Sequence, residues 1–109
     1  MQSPGVNRIG TTRRLTASFE DENSLPVDPT TVIAKTYSPS GAITDYTYGS
    51  SANVGRTAVG HFYLDMTPNE AGRWFIRWEG TQAAGALVLE DNFIVQTSPF
   101  IGGVARAYS

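Results

Sequence analysis

The stretch that decides the fold is Gly60-His61-Phe62-Tyr63-Leu64-Asp65-Met66-Thr67-Pro68-Asn69-Glu70-Ala71-Gly72-Arg73-Trp74-Phe75-Ile76-Arg77-Trp78-Glu79-Gly80. Phe62, Leu64 and Met66 alternate with Tyr63 and Asp65, and Trp74, Ile76 and Trp78 alternate with Arg73, Phe75, Arg77 and Glu79. Successive side chains of a strand point to opposite faces, so period two over two runs means two strands with one buried face each. Pro68-Asn69 and Ala71-Gly72 interrupt the alternation as a corner does.

Working outward, further short runs have the same character. Arg13 to Glu20 predicts a strand with Leu15, Ala17 and Phe19 on one face. Asp21 to Pro29 reads as a loop, and Thr30 to Tyr37, rich in β-branched residues, as the next strand. Its inner face is open on sequence alone, because Val32, Ala34 and Thr36 compete with Ile33, Lys35 and Tyr37. Ser38-Pro39-Ser40-Gly41 is a turn, and Ile43 to Tyr48 a strand expected at an edge or on an exposed sheet. Gly49 to Asn53 is a loop, Val54 to Thr57 a short strand, and Ala86 to Val95 the closing one, with Phe93 and Val95 inward. No window has helical periodicity. Short strands at roughly 8–12-residue spacing with Gly/Pro turns imply a sandwich or small barrel. The expected core is Phe19, Phe62, Leu64, Trp74, Ile76, Trp78 and Phe93.

With 109 residues the chain has room for one domain. A domain of this size buries on the order of 60–65% of its unfolded surface, enough for stability without staples. Cysteine is absent, which excludes disulfides and thiolate metal sites. The net charge of −2 is spread along the chain, whereas nucleic acid needs a dense basic face. Arg13-Arg14, the one basic doublet, reads as a solvated strand start. Met1 to Val6 lacks the pattern of a signal peptide, and no apolar run reaches about 18–20 residues, so neither export nor a membrane partner is expected.

No catalytic constellation emerges. His61, the single histidine, lies mid-strand without a nucleophile elbow, and one histidine cannot build a zinc site. Glu20-Asp21-Glu22 with Asp28 could gather carboxylates, but lacks the alternation of a calcium loop and reads as solvated. The expectation is a protein that is not an enzyme and has no cofactor or metal. Tyr46, Tyr48, Tyr63 and Phe75 are candidates for outward faces that bind a partner or a sugar; the alternative is that some cover the sheet and others sit beneath loops.

The corner Asn69-Glu70-Ala71-Gly72-Arg73-Trp74-Phe75-Ile76 resembles the one before strand F of immunoglobulin-like domains, where an acidic residue, a small residue and Gly precede an aromatic two positions before a core residue. Trp74 takes the aromatic place and Ile76 the place usually held by cysteine. Trp74 has no hydroxyl for a tyrosine corner, though its indole N–H could donate instead. The resemblance implies an antiparallel immunoglobulin-like β-sandwich of around seven strands.

More of the chain is similar to small immunoglobulin-like proteins encoded among the structural genes of tailed bacteriophages. The residues carrying this are, in order, Leu15-Thr16-Ala17-Ser18-Phe19, Val27-Asp28-Pro29-Thr30-Thr31-Val32, Ser38-Pro39-Ser40-Gly41, Tyr46-Thr47-Tyr48, Gly60-His61-Phe62, Glu70-Ala71-Gly72-Arg73-Trp74, Arg77-Trp78-Glu79-Gly80 and Ser98-Pro99-Phe100. This similarity implies a noncatalytic virion part, a capsid decoration protein or a component of the neck at the head–tail joint. It would be made in the host cytoplasm, with other capsid or neck proteins as partners and homo-oligomerisation left open. The rival expectation is a carbohydrate- or receptor-binding adhesion module. In this division residues 1–12 are an N-terminal arm, 13–97 the sandwich and 98–109 a C-terminal arm. The last segment holds Phe100, Ile101, Val104 and Tyr108, and reads either as a disordered end or as an arm that docks on a neighbouring subunit.

Overall fold

The computed structural model describes residues 7–83 and 85–97. They form an all-β sandwich. β1 is Asn7–Arg8, β2 Arg13–Ser18, β3 Thr31–Tyr37, β4 Ile43–Thr47, β5 Val54–Ala58, β6 His61–Met66, β7 Gly72–Gln82 and β8 Gly85–Gln96. One sheet has the order β1-β8-β7-β3-β4 and the other β2-β6-β5. This is the immunoglobulin-like arrangement, with β2, β6 and β5 as strands B, E and D, and β3, β7 and β8 as C, F and G. β4 extends the second set as C′ does in variable-type domains. All pairings are antiparallel except that of β1 with β8, which is parallel.

The inward stripes meet between the sheets. Leu15 and Ala17 of β2, Val32 and Ala34 of β3, Phe62, Leu64 and Met66 of β6, Trp74, Ile76 and Trp78 of β7, and Phe93 and Val95 of β8 are all buried. All seven expected core residues belong to this cluster. The open choice in β3 falls to Val32, Ala34 and Thr36. Turning β3 over would drive Lys35 and Tyr37 into the core. Phe19, 1% exposed, follows β2 and packs edge-on against Phe62 at 5.8 Å.

The corner before β7 closes as the indole allows. Trp74 Nε1 donates to the Glu70 carbonyl at 3.0 Å, and the ring stacks on Phe93 with 6.4 Å between centroids and 9° between planes. Gly60, between β5 and β6, has φ 78°, and a Cβ there would stand 2.7 Å from the Phe19 carbonyl oxygen. Glycine alone tolerates both demands.

The expected boundary of the N-terminal arm moves. Asn7 and Arg8 pair with Val95 and Gln96, the Ile9 amide donates to the Gln96 carbonyl at 3.1 Å, and Ile9 is buried in the core. Residues 7–12 therefore belong to the sandwich. A two-residue strand with one apolar neighbour is too short to leave a periodic trace, and its partner lies at the far end of the chain.

Candidate functional site

The outer face of the five-stranded sheet carries the least expected surface of the molecule. Register fixes its rows. Tyr37 of β3 lies opposite Ile43 of β4 and Phe75 of β7, so the three form one apolar row across three strands. All three point to solvent, Ile43 at 66% exposure, Tyr37 at 46% and Phe75 at 43%. The Tyr37 and Phe75 rings are 6.0 Å apart, tilted by 43°. The next row reads Asp45, Lys35, Arg77, Glu90 across β4, β3, β7 and β8. An open hollow of about 350 Å³ lies where the two rows meet, lined by Tyr37, Ile43, Phe75, Lys35, Arg77 and Glu90 among others.

The charged row is tied together. Arg77 donates through Nε to Glu79 at 2.7 Å and through Nη1 to Glu90 at 2.6 Å, and Lys35 Nζ stands 3.5 Å from Glu79. The Arg77 hydrogen bond holds the Glu79 carboxyl below its ordinary range, with Lys35 helping, and Glu79 and Glu90 raise the Arg77 guanidinium in return. Arg73 donates to Asn92 beside the apolar row. These exposed pairs add little stability in water. They do fix the side chains that border the hollow.

The other candidates fall into structural roles. Tyr46 packs against the core, and Tyr48, though 43% exposed, lies edge-on against Phe62 at 5.1 Å. Tyr63 faces out of the three-stranded sheet beneath the Arg14 guanidinium, 3.7 Å from the ring centre, while Arg14 also grips Asp65 at 2.8 and 2.9 Å. Arg13 covers the Phe93 ring at 4.9 Å. The basic doublet is thus a pair of ring covers rather than a solvated strand start, since guanidinium stacks readily on aromatic faces. Of the four outward aromatics expected, Phe75 belongs to the open apolar row. Its companion Tyr37 was hidden by the ambiguity of β3; the signal that finds it is the register opposite Phe75.

The acids also disperse. Asp28 accepts the Gly60 amide at 2.7 Å and the Arg56 guanidinium at 2.9 Å. Arg56 first, then that amide, lowers its pKa. Asp21 accepts the amides of Asn23 at 2.8 Å and Leu25 at 3.1 Å within its own turn. Among the described residues no three His, Asp or Glu side chains stand together in a way that could hold a metal ion. His61 shares a 3.0 Å hydrogen bond between Nδ1 and Ser18 Oγ, and no carboxylate among the described residues bonds to its ring. A hydrolytic triad needs that third group. Phe100, Ile101, Val104 and Tyr108 lie outside the described residues. Among the described residues no helix is long and apolar enough to cross a membrane.

Compared with known proteins, the chain matches no protein-family model and no curated sequence.

Proposed function

We propose that this protein is a noncatalytic structural component of a tailed-bacteriophage particle. It would decorate or cement the capsid, or join head and tail at the neck. Capsid or neck proteins would be its partners and the virion its location, after synthesis in the host cytoplasm. The ordered motifs from Leu15 to Phe100 support the particle context. The observation that carries the binding role is the Ile43–Tyr37–Phe75 row, apolar and exposed on a rigid sheet.

Magnitude bears on how such a surface works. The row exposes on the order of 300 Å², against about 800 Å² per partner in a standard stable interface. One such contact is weak. Many symmetric copies on a shell turn weak contacts into durable attachment through avidity. The test is incorporation: Phe75→Arg should leave the fold intact and reduce loading onto particles, and deleting residues 100–109 should do the same. If both variants load like wild type, neither the face nor the arm is the anchor and the proposal loses its support.

A second reading has its own observation. Tyr37 and Phe75 present two ring faces on one sheet beside polar side chains, the surface expected of a carbohydrate- or receptor-binding module. A glycan-binding screen separates the two: a saturable glycan signal abolished by Tyr37→Ala, with no particle loading, would favour adhesion.

A further inference from the structure

We propose that the outer face of the five-stranded sheet is the seat of the chain's own C-terminal segment, Phe100 to Tyr108, which folds back across Phe75 and Tyr37 in the isolated protein. This rests on reading that face as a docking surface. Three observations lead to it.

The first is where the chain leaves the sandwich. β8 ends at Gln96, and Asn92 of the same strand lies opposite Phe75. From Thr97 the apolar row is therefore about 17 Å back along the strand, at about 3.4 Å per residue. Ile43 is three strands across, about 14 Å at about 4.8 Å per strand. The far corner of the hollow is thus about 22 Å from the exit by the same spacings. Residues 98–109 span at most about 40 Å, enough to reverse and cross the face. Pro99 cannot continue the ladder, and Gly102-Gly103 lets the segment bend.

The second is complementarity. Phe100, Ile101, Val104 and Tyr108 supply apolar side chains for an apolar row. Arg106 is the one charged side chain in residues 98–109. The hollow has an acid at either side, Asp91 on β8 in its lining and Asp45 on β4 in the charged row. Tethering matters as well: a short linker holds its segment at millimolar effective concentration, so a contact too small to join two molecules can close within one.

The third is that the face does not complement itself. Its charged row reads negative, positive, positive, negative across the sheet. A second copy laid face to face about a two-fold axis along the strands sets Asp45 on Glu90 and Lys35 on Arg77. About an axis across the strands at that row, each residue meets itself. Both arrangements bring like charges together, which is unfavourable.

The test is the tryptic cleavage rate after Arg106 in the full chain, followed by mass spectrometry. The reference is a synthetic peptide of residues 98–109. Docking should slow cleavage by about tenfold or more, because proteolysis tracks the open population. Phe75→Thr should restore the peptide's rate. So should the double substitution Phe100→Ser with Ile101→Ser, which lies outside the sandwich and cannot unfold it. The protection should not change over a hundredfold range of protein concentration. A wild-type rate equal to the peptide's would overturn the proposal. Protection that grows with concentration would assign the face to a second copy and also overturn it. Protection that survives both sets of substitutions would place the segment elsewhere. None of these outcomes depends on particle loading, so this proposal and the assembly role fail separately.

Discussion

Replacing Trp74 with phenylalanine isolates the hydrogen bond that closes the corner before β7. The substitution keeps an aromatic ring against Phe93 but removes the N–H that reaches the Glu70 carbonyl at 3.0 Å. Loss of one such bond costs about 1 kcal/mol, more if the carbonyl is left without a partner. The smaller ring also leaves space, and Trp78→Phe controls for that. Trp78 is 2% exposed, and its ring nitrogen makes no hydrogen bond among the described residues. Both variants should lose stability, with Trp74→Phe about 1 kcal/mol the worse. Urea unfolding followed by far-UV circular dichroism reads the difference without relying on tryptophan emission. With a slope of about 2 kcal/mol/M, it is a midpoint shift of about 0.5 M. Trp74→Ala should cost roughly 3–5 kcal/mol, a large share of the 5–10 expected for such a domain. If Trp74→Phe is no worse than Trp78→Phe, the indole bond is not what holds the corner.

Three further outcomes follow from the same contacts. Asp28, Asp65 and Glu79 have pKa values lowered by Arg56, Arg14 and Arg77 respectively. A depressed carboxylate stabilises the fold above its unfolded pKa of about 3.9 to 4.3, and that stability is lost as pH falls through the folded value. The melting temperature should therefore decline below about pH 4, and less steeply in Asp28→Asn; parallel curves would remove Asp28 from the account. Gly60→Ala should cost roughly 1–3 kcal/mol, read by thermal melting, because the site has φ 78° and a Cβ would meet the Phe19 carbonyl. Chelator should leave the melting temperature unchanged, and a calcium-dependent rise would show that the acids near β2 bind metal after all.

The residues that were legible in sequence are those whose environment is set by their own strand. β6 and β7 alternate over full strand lengths, so period alone fixed which side of Phe62, Leu64, Trp74 and Trp78 is buried. β4 announced an edge by its mixed, polar character and does end the five-stranded sheet. The unreadable parts depend on a partner far away in the chain. Ile9 is core because β1 lies along β8, and nothing within residues 1–12 encodes that. Arg13 and Arg14 look solvated until Phe93 and Tyr63 are placed beneath them. Tyr37 could not be assigned a face until pairing with β7 set it opposite Phe75.

That pairing also says which part of the apolar row sheet stability explains. An outward cross-strand aromatic pair contributes roughly 0.2–1 kcal/mol, so Tyr37 opposite Phe75 has a reason within the fold. Ile43 does not share it. At the edge of the sheet, 66% exposed, it covers no core side chain. Edge strands usually present charge or proline that discourages association, and β4 does so one row along, at Asp45. An isoleucine held open beside that aspartate gains nothing in the isolated sheet and contributes only when something lies across the row. The same alternation that buries Trp74, Ile76 and Trp78 turns Phe75 outward, and the register of β3 and β4 extends it into a surface. The rule that builds the core therefore also fixes where a partner, or the chain's own last residues, would sit.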